Sequence, residues 1–169
     1  MKFYKSLIMN DLKHSITILP ATPQDIPAML RLLDSYARKQ LVLPRTAADL
    51  EHNYVNFILA KDGEHLVGLV ALRPYGDGFY EIRSLAVAHG YKNAGVGTRL
   101  VLELLDRARA MQPPAANVFA LTKRPHLFQR LGFRLAYRER FPGKIWTDCL
   151  LCPKYNNCDE TAVEYRLNQ

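Results

Sequence analysis

The residues whose types and spacing point to chemistry run from Glu81 to Thr98. A strand-like stretch through Leu85, Ala86 and Val87 passes by a short loop into a helix, and the loop and first helical turn carry Lys92, Asn93, Ala94, Gly95, Val96, Gly97 and Thr98. Glycines at such a junction let the backbone approach a phosphate closely. The helix start adds unpaired N–H donors and a partial positive charge. Each charge-assisted hydrogen bond contributes roughly 1.5–3 kcal/mol, so several together hold a pyrophosphate, and Lys92 places a mobile cation beside them. An ordinary loop can also carry two glycines. The other phosphate motifs fit poorly: there is no G-x-x-x-x-G-K-[ST], and the G-x-G lacks the third glycine of a dinucleotide fingerprint.

Glu81 and Arg83 share one face of their strand, being two residues apart. A carboxylate there suits general-base work on an amine, through a water, an effect worth about 10²–10⁴-fold. A salt-bridged structural glutamate is the alternative. Downstream, seven cationic side chains and one acid, Glu139, lie between Lys123 and Lys144, in a chain of formal net charge +7. Such a patch suits a phosphorylated cofactor or a small acidic substrate, or it is a solvated face. Aromatic residues are not interleaved with it in a stacking pattern, which argues against nucleic acid.

These groups need a frame. Residues 1–14 read as a polar lead-in of uncertain order, and 15–169 as one domain. Ser15 to Leu19 reads as a strand. Thr22 and Pro23 open an amphipathic helix with Ile26, Met29, Leu30 and Leu33 on its apolar stripe. A shorter helix starts at Thr46, with Asp49 three residues on. Asn56 to Lys61 and His65 to Arg73 are strands joined at Asp62 and Gly63, a hairpin signal. A turn over residues 74–78 precedes the strand Phe79 to Ala88.

The long helix after the glycine loop presents Leu100, Val101, Leu104, Leu105, Ala108 and Met111, and Pro113 and Pro114 stop it. Asn117 to Leu121 reads as a buried strand, and Pro125 to Leu131 as a short helix capped by Gly132. Phe133 to Arg138 and Thr161 to Leu167 read as the final strands, flanking an irregular cysteine-containing loop. The order β-α-α-β-β-β-α-β-α-β-β describes a mixed α/β domain.

The segment Lys92 to Gly97 resembles the R/Q-x-x-G-x-G/A pyrophosphate loop of the GNAT acetyltransferases, with Lys92 in place of Arg or Gln. That exchange keeps the charge and loses the planar fork. A strand ending Leu85, Ala86, Val87 precedes the loop, and Gly132-Phe133 stands where the family has its "GF". The resemblance runs from Ile16 to about Leu167. It implies acetyl-CoA as co-substrate and a central strand, Ile82 to Val87, splayed from Asn117 to Leu121 to admit the pantetheine arm. It also implies that the Val87 N–H polarises the thioester carbonyl. Many members carry a tyrosine four residues before the "GF" glycine as the thiolate's proton donor. Phe128 stands there in this chain, which leaves solvent, Tyr137 or His126.

The stretches around Leu43 and Arg45, from Phe119 to Phe133, and from Lys144 to Glu160 are similar to N-acetylglutamate synthases, including short stand-alone bacterial forms. That resemblance implies L-glutamate as acceptor, at the entry to arginine biosynthesis. A dicarboxylate needs cationic clamps, and Arg supplies the bidentate ones. The candidates are Arg45, Arg73, Arg83, Arg124 and Lys144, with the Leu43 backbone beside the first. Another small amine as acceptor, or a non-catalytic acyl-CoA-binding module, are the competing readings.

Cys149, Cys152 and Cys158 are odd in number and do not suggest an extracellular disulfide framework. Reduced packing thiols, a labile disulfide, or a zinc site completed by Asp148, Asp159 or Glu160 are the alternatives, and no metal ligand is assigned. The longest stretch free of Asp, Glu, Lys and Arg, Ala110 to Thr122, is too short for a membrane span. The start of the chain lacks a secretory apolar region. A cytoplasmic enzyme is expected, with a homodimer left open.

Overall fold

The computed structural model describes residues 15–167. The expected lead-in over 1–14 lies outside them. Seven strands form one mixed sheet in the order β1-β2-β3-β4-β5-β7-β6. They are β1 (Ile16–Pro20), β2 (Phe57–Asp62), β3 (His65–Pro74), β4 (Phe79–Val87), β5 (Asn117–Thr122), β6 (Arg134–Ala136) and β7 (Thr161–Arg166). The helices are α1 (Ile26–Ala37), α2 (Ala47–Asn53), α3 (Val96–Ala110), α4 (Pro125–Arg130) and α5 (Pro142–Thr147).

Local signals act largely where the sequence places them. The Thr22 N–H and hydroxyl both donate to the Asp25 carboxylate, at 2.9 and 2.7 Å, and a 3₁₀ turn leads into α1. Thr46 accepts from the Asp49 N–H at 3.1 Å and caps α2. The Asp49 carboxylate does not complete a capping box; it binds Arg45 at 3.0 Å. Gly63 takes a left-handed φ of 58° in the β2–β3 hairpin, a conformation open to glycine at little cost.

Alternation along the strands sorts the core onto two faces. Ile58, Val70, Leu72, Ile82, Val118 and Val163 pack under the Leu100, Val101, Leu104, Leu105 and Ala108 stripe of α3. Phe57, Leu59, Leu69, Ala71 and Ala86 meet Met29, Leu33 and Leu50 from α1 and α2 on the other face. Phe119, Phe141 and Ala162 form a third cluster, in which the Phe119 and Phe141 rings stack at 4.0 Å.

Two expectations need correction. The strand expected over Phe133 to Arg138 holds only Arg134–Ala136. The cysteine-containing stretch is not wholly irregular, because it carries α5 and two 3₁₀ turns, Cys149–Leu151 and Tyr155–Asn157. Six residues opening with a proline and a glycine are too few for helical periodicity to show.

Candidate active site

The site is made by a parting of two strands. β4 and β5 run parallel and pair only at Phe79 with Asn117, Tyr80 with Val118, and Glu81 with Phe119. Beyond Glu81 the strands separate, and β4 keeps only its antiparallel ladder to β3. That ladder is bulged: Leu69 pairs with Ala86 and Ala71 with Arg83, so β4 holds one extra residue. Ser84 sits in the bulge at a φ of 57°, rare for a residue with a side chain. The extra residue resets the alternation, so Leu85 and Val87 join the core under α3 while Ala86 packs toward α1.

The opening between the strands is a cleft lined by Leu43, Arg45, Glu81, Arg83, Leu85, Arg124, Phe128, Lys144 and Glu160, with Tyr36 at one wall. Five of the six acceptor-binding candidates therefore meet in one place. Arg73 does not line it; its guanidinium bonds Asp148 at 3.0 and 3.1 Å. Leu85 alone of the cofactor-loop candidates lines this cleft.

Glu81 lies at the vertex of the parting, 3% exposed. The Lys144 ammonium reaches its two oxygens at 3.0 and 3.1 Å, the Tyr75 hydroxyl lies 2.8 Å away, and Arg83 stands at 3.8 Å. Asp148, just beyond α5, takes the same neighbours: Tyr75 at 2.7 Å, Lys144 at 2.8 Å and Arg83 at 3.1 Å. Burial alone would push the Asp148 carboxyl up. Hydrogen bonds from Lys144 and Tyr75, with the Lys144 and Arg83 charges, more than reverse this and hold it well below the usual carboxylate range. Burial, the Glu81 charge and bonds to both carboxylates push the Tyr75 phenol far above its ordinary value, so it stays protonated.

Arg45 bonds Asp49 at 3.0 Å and the Ser84 hydroxyl at 3.3 Å. Burial, then the nearby Arg83 charge, depress its pKa from the usual guanidinium value. A desolvated arginine beside a second one gains from an incoming anion. Arg124 also faces the cleft, and its side chain has no hydrogen-bond or ion-pair partner among the described residues.

The cofactor-loop residues sit where β4 hands over to α3. Asn93 and Gly95 take left-handed φ values of 63° and 78°, and no side chain caps the helix at Gly95. The space a Cβ would fill at Gly95 is open, and at Gly97 the nearest atom is Val87 Cγ2 at 3.7 Å. Bare amide groups, open space and Lys92 fit a pyrophosphate. Ala94 packs against the α3-side core, and Thr98 lies in the first turn of α3. The Val96 side chain is core, so only its amide can serve there. The Val87 N–H is engaged by the Tyr36 hydroxyl at 3.0 Å.

Tyr36, Tyr75 and the role of Asp148 escaped the sequence reading. Phe128 is buried and offers no proton, while His126 and the exposed Tyr137 do not line the cleft. The three cysteines are free thiols, and no group of three or more metal-binding side chains is present among the described residues.

Residues 26–133 match the Acetyltransferase (GNAT) family. The chain belongs to that family. An uncharacterised N-acetyltransferase of Chlorobaculum tepidum is 34% identical over 82% of this chain and 88% of its own length. The amino-acid acetyltransferase of Pasteurella multocida is 34% identical over 79% of this chain but 30% of its own, so the chain spans about a third of that relative. Among solved structures, Neisseria gonorrhoeae N-acetylglutamate synthase, complexed with coenzyme A and N-acetyl-glutamate, superposes with a TM-score of 0.82. It is 24% identical over 93% of this chain and 36% of that one. A Mycobacterium tuberculosis protein in complex with CoA gives 0.75, at 25% identity over 89% of this chain and 99% of its own. No helix among the described residues is long and apolar enough to cross a membrane.

Proposed function

We propose that this GNAT protein transfers the acetyl group of acetyl-CoA to the α-amine of L-glutamate, as an N-acetylglutamate synthase of arginine biosynthesis in the cytoplasm. The observation that carries the proposal is the position of Glu81: β4 and β5 part at the residue bearing the carboxylate, and the opening is walled by Arg45, Arg83, Arg124 and Lys144.

In this reading the pyrophosphate rests on the amide groups at the start of α3, beside Lys92, and the pantetheine arm enters between the strands. The Val87 N–H, once released by Tyr36, polarises the thioester carbonyl. Glu81 takes the proton from the acceptor's ammonium, through a water, so that the neutral amine attacks the carbonyl carbon. The nitrogen loses its second proton to solvent as the C–S bond breaks, and the departing thiolate takes a proton from solvent, because neither His126 nor Tyr137 lines the cleft. Arg124, which has no ion-pair partner among the described residues, and Arg45, whose single carboxylate partner Asp49 lies outside the Glu81–Asp148 cluster, receive the acceptor's carboxylates, whereas Arg83 and Lys144 are each held between Glu81 and Asp148.

The relatives support the acceptor class: amino-acid acetyltransferases match along most of this chain. A panel of free amino acids with acetyl-CoA and a thiol-release assay tests the reading. Turnover of glutamate above the rest is expected, and Glu81→Gln is expected to slow it by about 10²–10⁴-fold while CoA affinity stays nearly intact. Preferred turnover of another amine overturns the acceptor, and CoA binding without turnover overturns the enzyme.

A further inference from the structure

Three groups that contact Glu81 also contact a second carboxylate, Asp148, and a fourth contacts Asp148 alone. Lys144 Nζ stands 2.8 Å from Asp148 and 3.0 Å from Glu81. Arg83 stands 3.1 Å from Asp148 and 3.8 Å from Glu81. The Tyr75 hydroxyl is 2.7 Å from Asp148 and 2.8 Å from Glu81. Arg73 binds Asp148, at 3.0 Å, and not Glu81. Each of the four therefore sits nearer the carboxylate that does not line the cleft.

This matters because a general base must give up its own partners to take a proton. A glutamate alone against an ammonium, a guanidinium and a phenol would be held ionised and would accept a proton poorly. The Tyr75 hydroxyl has one proton and two carboxylate neighbours. When that proton points to Asp148, the phenol oxygen is left free to accept a hydrogen bond from a protonated Glu81. The fold secures the arrangement: Tyr75 packs against the Phe119 ring at 5.7 Å, and α5 brings Lys144 and Asp148 in on one turn.

Resting on the base assignment made above, we infer that Asp148 is a positioning residue, drawing Lys144, Arg83 and the Tyr75 proton off Glu81, and holding Arg73 on itself, so that Glu81 can accept the acceptor's proton. The remaining charged groups lining the cleft with Glu81 are Arg45, ahead of α2, Lys123 and Arg124, after β5, and Glu160, ahead of β7; Lys123 is paired with Asp159 at 2.6 Å.

The test compares the pH dependence of kcat/KM in the full chain, with whichever amino acid the wild type turns over best. Asp148→Asn leaves two cations, Lys144 and Arg83, to Glu81 alone. Its acid limb is expected to move to lower pH by about one unit, because an anion has been removed, with the plateau rate about tenfold lower and the KM for acetyl-CoA unchanged. Arg73→Met removes a cation that only Asp148 touches, and its acid limb is expected to move the other way. Asp148→Glu is expected to restore part of the wild-type profile. Lowered rates with both limbs unmoved would mean a merely structural aspartate and would overturn the inference. Should Asp148→Asn fail to fold, the direction of the Arg73→Met limb decides alone. A wild type inert toward every amine overturns the base assignment and this inference with it, whereas a wild type active with variants of unshifted profile overturns only the inference.

Discussion

The Tyr36 hydroxyl, in the last turn of α1, bridges both backbone polar groups of Val87: it accepts from the N–H at 3.0 Å and donates to the C=O at 2.8 Å. Val87 ends β4 beyond the point where β5 pairs with it, so no strand is there to satisfy its outward-facing amide. Partly buried backbone groups left unpaired are costly. One hydroxyl, donor and acceptor at once, fills the place of a strand partner. Lys92 stands over the same ring at 5.4 Å and ties it to the glycine loop.

A ligand that uses the Val87 amide must displace this hydroxyl. Tyr36→Phe is therefore expected to lower the thermal midpoint of the free protein by a few degrees, matching about 1 kcal/mol for a chain of this size. CoA should then bind several-fold more tightly, because nothing has to be displaced. Thermal melts and calorimetry with CoA measure both; weaker CoA binding in the variant would show that Tyr36 holds the ligand instead of yielding to it.

Acid should loosen the fold by a route the ion pairs define. Burial pushes the Asp25, Asp148 and Glu164 carboxyls up, but Lys61 at 2.6 Å from Asp25, Lys144 on Asp148, and Asn117 with Arg140 on Glu164 outweigh it and leave all three below their ordinary values. A group held low in the fold stabilises it above the unfolded-chain pKa. That contribution drains away as pH falls through the folded value. The thermal midpoint is thus expected to hold near neutrality and to fall once the pH drops below about 4. Asp148→Asn should start lower and lose less on acidification. A wild-type midpoint flat down to pH 3 would count against these pairs.

Much of the frame is legible in the chain because its signals are local. Thr22 and Thr46 start helices, Asp62 and Gly63 turn a hairpin, and the α3 stripe from Leu100 to Ala108 repeats at helical spacing. Glu81 and Arg83 are legible as a pair because a strand puts alternate residues on one face. What escapes is set by long-range geometry. Asp148 meets Arg83 across 65 positions and Tyr75 across 73, and nothing near any of them in sequence announces the contact. The β4 bulge is equally silent, since Ser84 carries no mark of a left-handed backbone. Arg73, Arg83 and Lys144 read as substrate clamps because their type suits a carboxylate. In the fold they meet carboxylates of the chain itself.

The approach of α5 to the turn after β3 offers a way to disturb that cluster without touching a charged group. A Cβ added to Gly143 would lie 3.2 Å from the Tyr75 carbonyl oxygen and 3.3 Å from Tyr75 Cβ. These are backbone-near atoms, unable to swing aside as the end of a long side chain would. The helix is short, and the stacked Phe119 and Phe141 rings fix its start, so the strain moves α5 outward by a few tenths of an ångström. Lys144 and Asp148 travel with it, away from Glu81 and Tyr75. Gly143→Ala is expected to cost about 1–3 kcal/mol of stability, as overpacking does, and to reduce turnover about tenfold. CoA affinity should not change, because the start of α3 lies elsewhere on the sheet. Urea unfolding, steady-state rates and calorimetry separate the three effects. A variant with lost stability but a wild-type rate would show that the distance from α5 to Glu81 does not limit proton transfer.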